Sequence, residues 1–246
     1  MKELKLTEIW LYPIKSLGGI PLTSARILEK GMLYDRRWML LDGSGVFMTQ
    51  RTFPRMALLQ PAITDDIITI ANKREKKAPL SFSLKDPPKG KRWLTKIWDD
   101  EVEVVEINSE ISGWFSDSLN LRCHLVAFPE ANPRPAKNAD KHVSLADAYP
   151  YMIIGQSTLD DLNARLQDPL PMNRFRPNFV FSGGEAFMED SWKNLSIGKV
   201  PFAAVKKSDR CVLTTVNQET AEKGTEPLRT LSGYRKIGNA VYFGQN

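Results

Sequence analysis

Ala57-Leu-Leu-Gln-Pro-Ala-Ile-Thr64, then Asp65-Asp66, then Ile67-Ile-Thr-Ile-Ala71 is the stretch from which the fold is read. Two short apolar and β-branched runs flank a pair of turn-forming aspartates, the pattern of a β-hairpin. The same pattern extends outward in both directions. Leu4–Tyr12, Leu22–Leu28, Arg37–Asp42 and Gly45–Thr49 precede it, with Asp42-Gly-Ser-Gly45 as a second hairpin connection. Arg92–Trp98 and Val102–Ile107 follow, across Asp99-Asp100-Glu101. Such even spacing predicts a small barrel or sandwich. Paired carboxylates at these turns can serve acid–base chemistry, but turn formation accounts for them more simply.

Two helices are expected next. In Ser109–Leu119 the residues Ile111, Trp114, Phe115 and Leu119 make one apolar stripe. In Thr158–Gln167 the stripe is Leu159, Leu162 and Leu166, with Ser157 at the N-cap and Pro169 as the stop. Pro129–Lys141 between them reads as a mobile excursion. Strands are expected again at Leu121–Ala127, Phe179–Ser182, Leu195–Ile197, Val200–Lys206, Cys211–Val216 and Ile237–Phe243. The expected fold class is therefore mainly β (α+β), with an N-terminal β-barrel-like lobe over 1–108, a second β-rich lobe over 109–246 and a few helices.

Composition excludes several chemistries. The 246 residues hold two cysteines, two histidines and a net charge of +5. Cys123 and Cys211 cannot supply a four-cysteine zinc site or an iron–sulfur cluster. So few thiols point to a reducing, cytoplasmic compartment. No apolar run is long enough for a membrane helix, and the start, MKELKLTEIWLYPIK, reads as a strand and not a signal peptide. The basic clusters at 73–77 and 87–92 look like solvated hairpin tips, so no nucleic-acid partner is expected.

Four stretches carry candidate chemistry. Arg174-Phe-Arg-Pro-Asn178 offers Arg176, a planar fork for phosphate or carboxylate, and Asn178, which both donates and accepts. Bracing of a loop is the simpler use of an isolated arginine of this kind. Ser208-Asp-Arg-Cys-Val-Leu-Thr-Thr-Val216 places Cys211 beside Arg210 and near Lys206 and Lys207. A lone strand cysteine is usually a small buried hydrophobe, whereas positive surroundings favour a reactive thiolate; both readings stand. Cys123, in an apolar context, is assigned to the core. Tyr12-Pro-Ile-Lys-Ser16 joins an amine and a hydroxyl to the flexible Gly18-Gly19, and Tyr34-Asp-Arg-Arg-Trp38 adds two guanidinium groups.

Taken in order, YPIKS, YDRRW, TLDDLNARL, NRFRPNFVFSG, EDSWKNLSIG, DRCVLTTV, EPLRTLSGYR and FGQN resemble the molybdenum-cofactor sulfurase C-terminal (MOSC) domain family. The likeness is to the branch in which an N-terminal β-barrel precedes that domain, a branch that includes amidoxime-reducing components. The resemblance implies that the second lobe is a MOSC β-barrel. Relatives of this kind continue with a further strand, so the chain is expected to lack the final one.

What the resemblance implies for the site is carried position by position. Cys211 matches the cysteine whose thiolate ligates molybdenum beside the dithiolene sulfurs of molybdopterin, and it is the catalytic and metal residue. Lys15, Ser16, Arg36, Ser157, Thr158, Arg176, Asn178 and Arg210 match cofactor-binding positions. Tyr234 and Arg235 are further candidates to approach the pterin. The implied cofactor is molybdenum–molybdopterin; a pyridoxal phosphate site is not expected. The implied activity is reduction of N-hydroxylated small molecules, namely amidoximes, hydroxylamines and hydroxylated bases. An external ferredoxin-like or haem protein with its reductase would supply electrons. The alternative is a non-catalytic carrier of cofactor or of persulfide sulfur.

Overall fold

The hairpin that opens the sequence reading is formed by Leu59–Thr64 and Ile67–Asn72, registered Thr64 to Ile67. Asp65 and Asp66 both take positive φ, 49° and 62°, the left-handed pair that matches strand twist in a two-residue turn. Ile68 and Ile70 are fully buried while Ile67 is 41% exposed, the alternation of a strand with one wet face. The run begins later than Ala57 because Pro54–Leu58 is a 3-10 turn. Leu80–Ser83 adds a third strand to this sheet. These observations come from a computed structural model, which describes residues 3–138 and 140–246.

The described chain is mostly strand, with three α-helices: α1 (Ser109–Leu119), α2 (Gln156–Asn163) and α3 (Leu228–Ser232). A four-stranded antiparallel sheet runs in the order Trp38–Asp42, Cys123–Ala127, Asp100–Glu106, Arg92–Ile97. Its first strand is buried on both faces. Trp38 and Leu40 enter one core, and Met39 and Leu41 the other. Helix α1 lies on the first of these cores through Ile111, Phe115 and Leu119. Asn108 caps it by accepting from the Ile111 N–H at 2.8 Å, and Asn120 ends it in the left-handed conformation.

A second, seven-stranded sheet joins the two ends of the chain. Its order is Lys207–Asp209, Ala240–Gln245, Ile153–Gly155, Phe179–Ser182, Lys5–Leu11, Ile20–Leu22, with Lys236–Ile237 paired to Ala240–Gln245. Ile153–Gly155 and Phe179–Ser182 are parallel, and α2 lies in the crossover that a parallel pair requires. Ile154, Val180 and Phe243 pack with α2 on one face; Leu11, Ile153, Phe179 and Phe181 pack on the other. The first strand of the chain thus completes the sheet of its last third. Conversely, α1 and Cys123–Ala127, expected with residues 109–246, contribute to the core of the first lobe.

Three local expectations are corrected. Gly45–Thr49 forms only an isolated bridge from Phe47 to Leu41, because the Thr49 carbonyl turns the chain by accepting from Thr52 and Phe53 N–H groups. Cys211–Val216 is not a strand. Thr214 and Thr215 hydroxyls bond back to the Cys211 and Val212 carbonyls at 2.9 and 2.8 Å, and Val212–Thr215 closes into a 3-10 turn. The stretch expected as mobile at Pro129–Lys141 is tied down over residues 129–138 through Arg134, 3% exposed, which donates to the Ser144 and Ala146 carbonyls, both at 2.6 Å. No helix is long and apolar enough to cross a membrane among the described residues.

Candidate functional site

Strand Lys5–Leu11 delivers Tyr12 to the edge of a cleft of about 620 Å³. Tyr12 is 2% exposed, and its ring lies under two cations, the guanidinium groups of Arg36 and Arg176, at 4.4 and 4.3 Å. Gly19 lets the chain pass: a Cβ there would stand 2.5 Å from the Tyr12 ring. Ser16, Arg36 and Arg176 hold φ of 67°, 47° and 56°. Left-handed backbone at three non-glycine residues of one cleft is the kind of strain that functional sites accumulate.

Asp35 organises this corner. Its carboxylate, 1% exposed, accepts from the Tyr12 N–H at 2.9 Å, from Arg36 Nη1 at 2.6 Å and from Asn178 Nδ2 at 3.3 Å. Arg176 Nη1 donates to the Leu17 carbonyl at 2.6 Å. Arg210 donates to the Phe175 carbonyl at 2.7 Å and the Ser208 hydroxyl at 2.8 Å, while its buried Nε meets no acceptor among the described residues. Burial pulls both Arg176 and Arg210 down to about 10, the mark of cations held away from water with too little negative charge beside them. Among the described residues, eight basic side chains and four carboxylates line the cleft.

Cys211 is exposed and lines the same cleft, immediately before the 3-10 turn. The Arg51 guanidinium lies 3.5 Å from its sulfur. Arg51 also lies 3.5 Å from the Asp147 carboxylate and stacks on Trp98 at 4.5 Å. Lys15 bonds Asp147 and the Leu145 carbonyl. Burial lowers Lys15 to about 8, with Asp147 opposing that shift. Partial desolvation works to raise Asp147, whose side chain stays about half exposed, but the Lys15 and Arg51 charges outweigh it and hold the carboxyl well below the usual range. Cys123, by contrast, is buried, and burial pushes its thiol up to about 11.

The cleft therefore brings together Lys15, Ser16, Arg36, Arg176, Asn178, Arg210 and Cys211. It does not bring in Ser157 or Thr158. Helix α2 starts at Gln156, so both residues lie inside its first turn with Gly155 as the cap. The anion at this N-terminus is already supplied by the chain. Glu189, fully buried, accepts from the Gly155 N–H at 3.1 Å and the Thr158 hydroxyl at 3.0 Å. Tyr234 and Arg235 are absent from the lining as well; Arg235 pairs with Asp190 at 2.5 Å. Sequence reading missed Arg51, Asp147 and Asp35. Asp35 sits within the quoted YDRRW, but Arg51 lies in an aperiodic turn with no local signal.

The donor set suits a particular kind of ligand. Desolvated arginines, one with an orphaned N–H, match the phosphate of a pterin cofactor. Among the described residues, no group of three or more His, Cys, Asp or Glu side chains is placed to hold a metal. A metal at Cys211 thus needs ligands brought with it, as a dithiolene provides, and a single soft thiolate suits such a centre.

Comparison with known proteins points the same way. Residues 3–122 match the MOSC N-terminal beta barrel domain and residues 140–246 the MOSC domain. The chain is 31% identical to Mitochondrial amidoxime-reducing component 1 of Mus musculus, over 94% of this chain and 71% of that protein. It is 31% identical to the Homo sapiens protein of the same name, over 98% and 77%. It is also 26% identical to Molybdenum cofactor sulfurase of Oryza sativa subsp. japonica, across 99% of this chain but only 32% of that protein.

Proposed function

Because the chain belongs to the family of MOSC-domain proteins with an N-terminal MOSC β-barrel, we propose that its cleft binds molybdenum–molybdopterin and that it reduces N-hydroxylated compounds. Amidoximes, hydroxylamines and hydroxylated bases are the substrates in this reading. One observation carries it: an exposed Cys211 shares a cleft with the desolvated cations Arg176 and Arg210.

Cys211 is the protein's metal ligand. Arg36, Arg176 and Arg210 hold the cofactor phosphate, with the Ser16 hydroxyl beside them. Lys15 has a third N–H beyond those given to Leu145 and Asp147. Asn178, fixed on Asp35 and on the Trp10 carbonyl at 3.2 Å, presents its amide oxygen to the heterocycle edge. When bound, the cofactor supplies a metal that passes between two oxidation states. The buried cations need no reorganisation on binding, because the backbone already fixes them. Within these 246 residues two cysteines are too few for an iron–sulfur cluster, and in this reading a ferredoxin-like or haem protein with its reductase supplies the electrons.

Elemental analysis of protein from a molybdate-supplied host tests the cofactor assignment. Wild type is expected to carry molybdenum and pterin fluorescence, and Cys211→Ala to lose the metal. Undiminished molybdenum in the variant overturns the assignment. The likeness to a cofactor sulfurase across nearly the whole chain supports a second reading, a carrier of cofactor or persulfide. That reading predicts bound cofactor or persulfide without donor-driven reduction.

A further inference from the structure

We propose that the Arg51 guanidinium grips the hydroxyl oxygen of the substrate beside Cys211, so that the first lobe supplies the substrate-facing wall of the cleft. This rests on the reductase reading above. Arg36, Arg176 and Arg210 are bound to backbone carbonyls or to Asp35 around Tyr12 and Phe175. Arg51 makes no contact with those three among the described residues; it reaches instead to the Cys211 sulfur. Asp147 accepts from it and also binds Lys15, the Trp98 ring lies 4.5 Å from it, and Asp99 lines the same cleft. Asp147 and Asp99 offset part of the Lys15 and Arg51 charge, so this wall suits a neutral N-hydroxyl on a basic amidine or amine better than a phosphate dianion.

The loop that carries Arg51 is fixed before any ligand arrives. Gln50, fully buried, donates to the Ser16 carbonyl at 2.8 Å and exchanges amide bonds with Gln218 at 3.1 and 2.9 Å. The Arg51 carbonyl accepts from Lys223 at 2.7 Å. A donor held this way needs no rearrangement as charge grows on oxygen. The reaction breaks the N–O bond, takes two electrons from the external donor and two protons from solvent, forms N–H and releases water. Arg51 donates to the oxygen throughout and keeps its own protons.

The test compares wild type with Arg51→Gln, Arg51→Lys and Arg51→Ala, each loaded in a molybdate-supplied host. Benzamidoxime is reduced with reduced methyl viologen, and molybdenum is measured on the same samples. Arg51→Gln is expected to keep its molybdenum and lose about 100- to 1,000-fold in kcat/KM, the cost of one removed oxyanion donor. Arg51→Lys is expected to regain part of that loss, and added guanidinium ion to restore activity to Arg51→Ala. Wild-type kcat/KM in Arg51→Gln, a loss that tracks molybdenum content, or absence of guanidinium rescue each overturns the assignment. Wild type that binds cofactor and reduces benzamidoxime upholds the reductase reading whatever Arg51 does. Wild type without either overturns both.

Discussion

Tyr12 shows how one side chain organises the cation cluster. Its ring supports Arg36 and Arg176, while its hydroxyl is buried with no partner among the described residues. The ring, not the hydroxyl, therefore contributes the stability. Tyr12→Phe is expected to unfold within about 0.5 kcal/mol of wild type in denaturant titrations, and Tyr12→Ala to lose about 3–5 kcal/mol. The two cysteines differ just as sharply. Cys211 is exposed, whereas Cys123 is buried and its thiol is pushed up to about 11. Brief iodoacetamide treatment of native cofactor-free protein, followed by peptide mapping, is expected to label Cys211 and leave Cys123 unmodified.

At the scale of elements, α2 is terminated by an internal anion. Burial raises the Glu189 carboxyl above its ordinary value, although Gly155 and Thr158 donate to it. A carboxyl raised on folding adds stability at pH below its unfolded value, and loses that contribution as pH rises through the folded value. Glu189→Gln is thus expected to gain on wild type in thermal unfolding as pH rises above the ordinary glutamate value of about 4.3. Glu189→Ala, which orphans the two donors, is expected to lose about 1–3 kcal/mol per unsatisfied group at neutral pH. The 3-10 turn after Cys211 has a similar brace: Arg174 donates to the Thr214 carbonyl at 2.8 Å and to the Glu226 carbonyl at 3.0 Å. Arg174→Met is expected to lower molybdenum retention by loosening the turn that carries Cys211, although Arg174 itself does not line the cleft.

Across the whole molecule the two lobes are interleaved. Lys5–Leu11 completes the sheet of the last third, and Trp38–Asp42 pairs with Cys123–Ala127. Residues 1–108 expressed alone lose both partners, so that fragment is expected to show no cooperative near-UV transition, while the full chain melts in one step. The Lys15–Asp147–Arg51 group also links the lobes. Asp147 is depressed on folding, so its contribution is present above the ordinary aspartate value and is lost as pH falls below it. Asp147→Asn is expected to flatten the fall in melting temperature between about pH 4 and about pH 2.

The sequence alone determined what depends on a few neighbouring residues. The Asp65-Asp66 hairpin, α1 over Ser109–Leu119 and strand Phe179–Ser182 follow from periodicity and turn chemistry, and the mainly β class follows from them. The clustering of Lys15, Arg36, Arg176 and Cys211 was legible only through eight motifs in order. Tertiary structure decided the rest. The Arg51–Cys211 contact spans 160 positions and Arg51–Asp147 spans 96, separations over which no periodic pattern carries information. It also sets Ser157 and Thr158 in the first turn of α2, outside the cleft lining, where Glu189, 31 positions beyond Thr158, reaches the helix N-terminus within the fold.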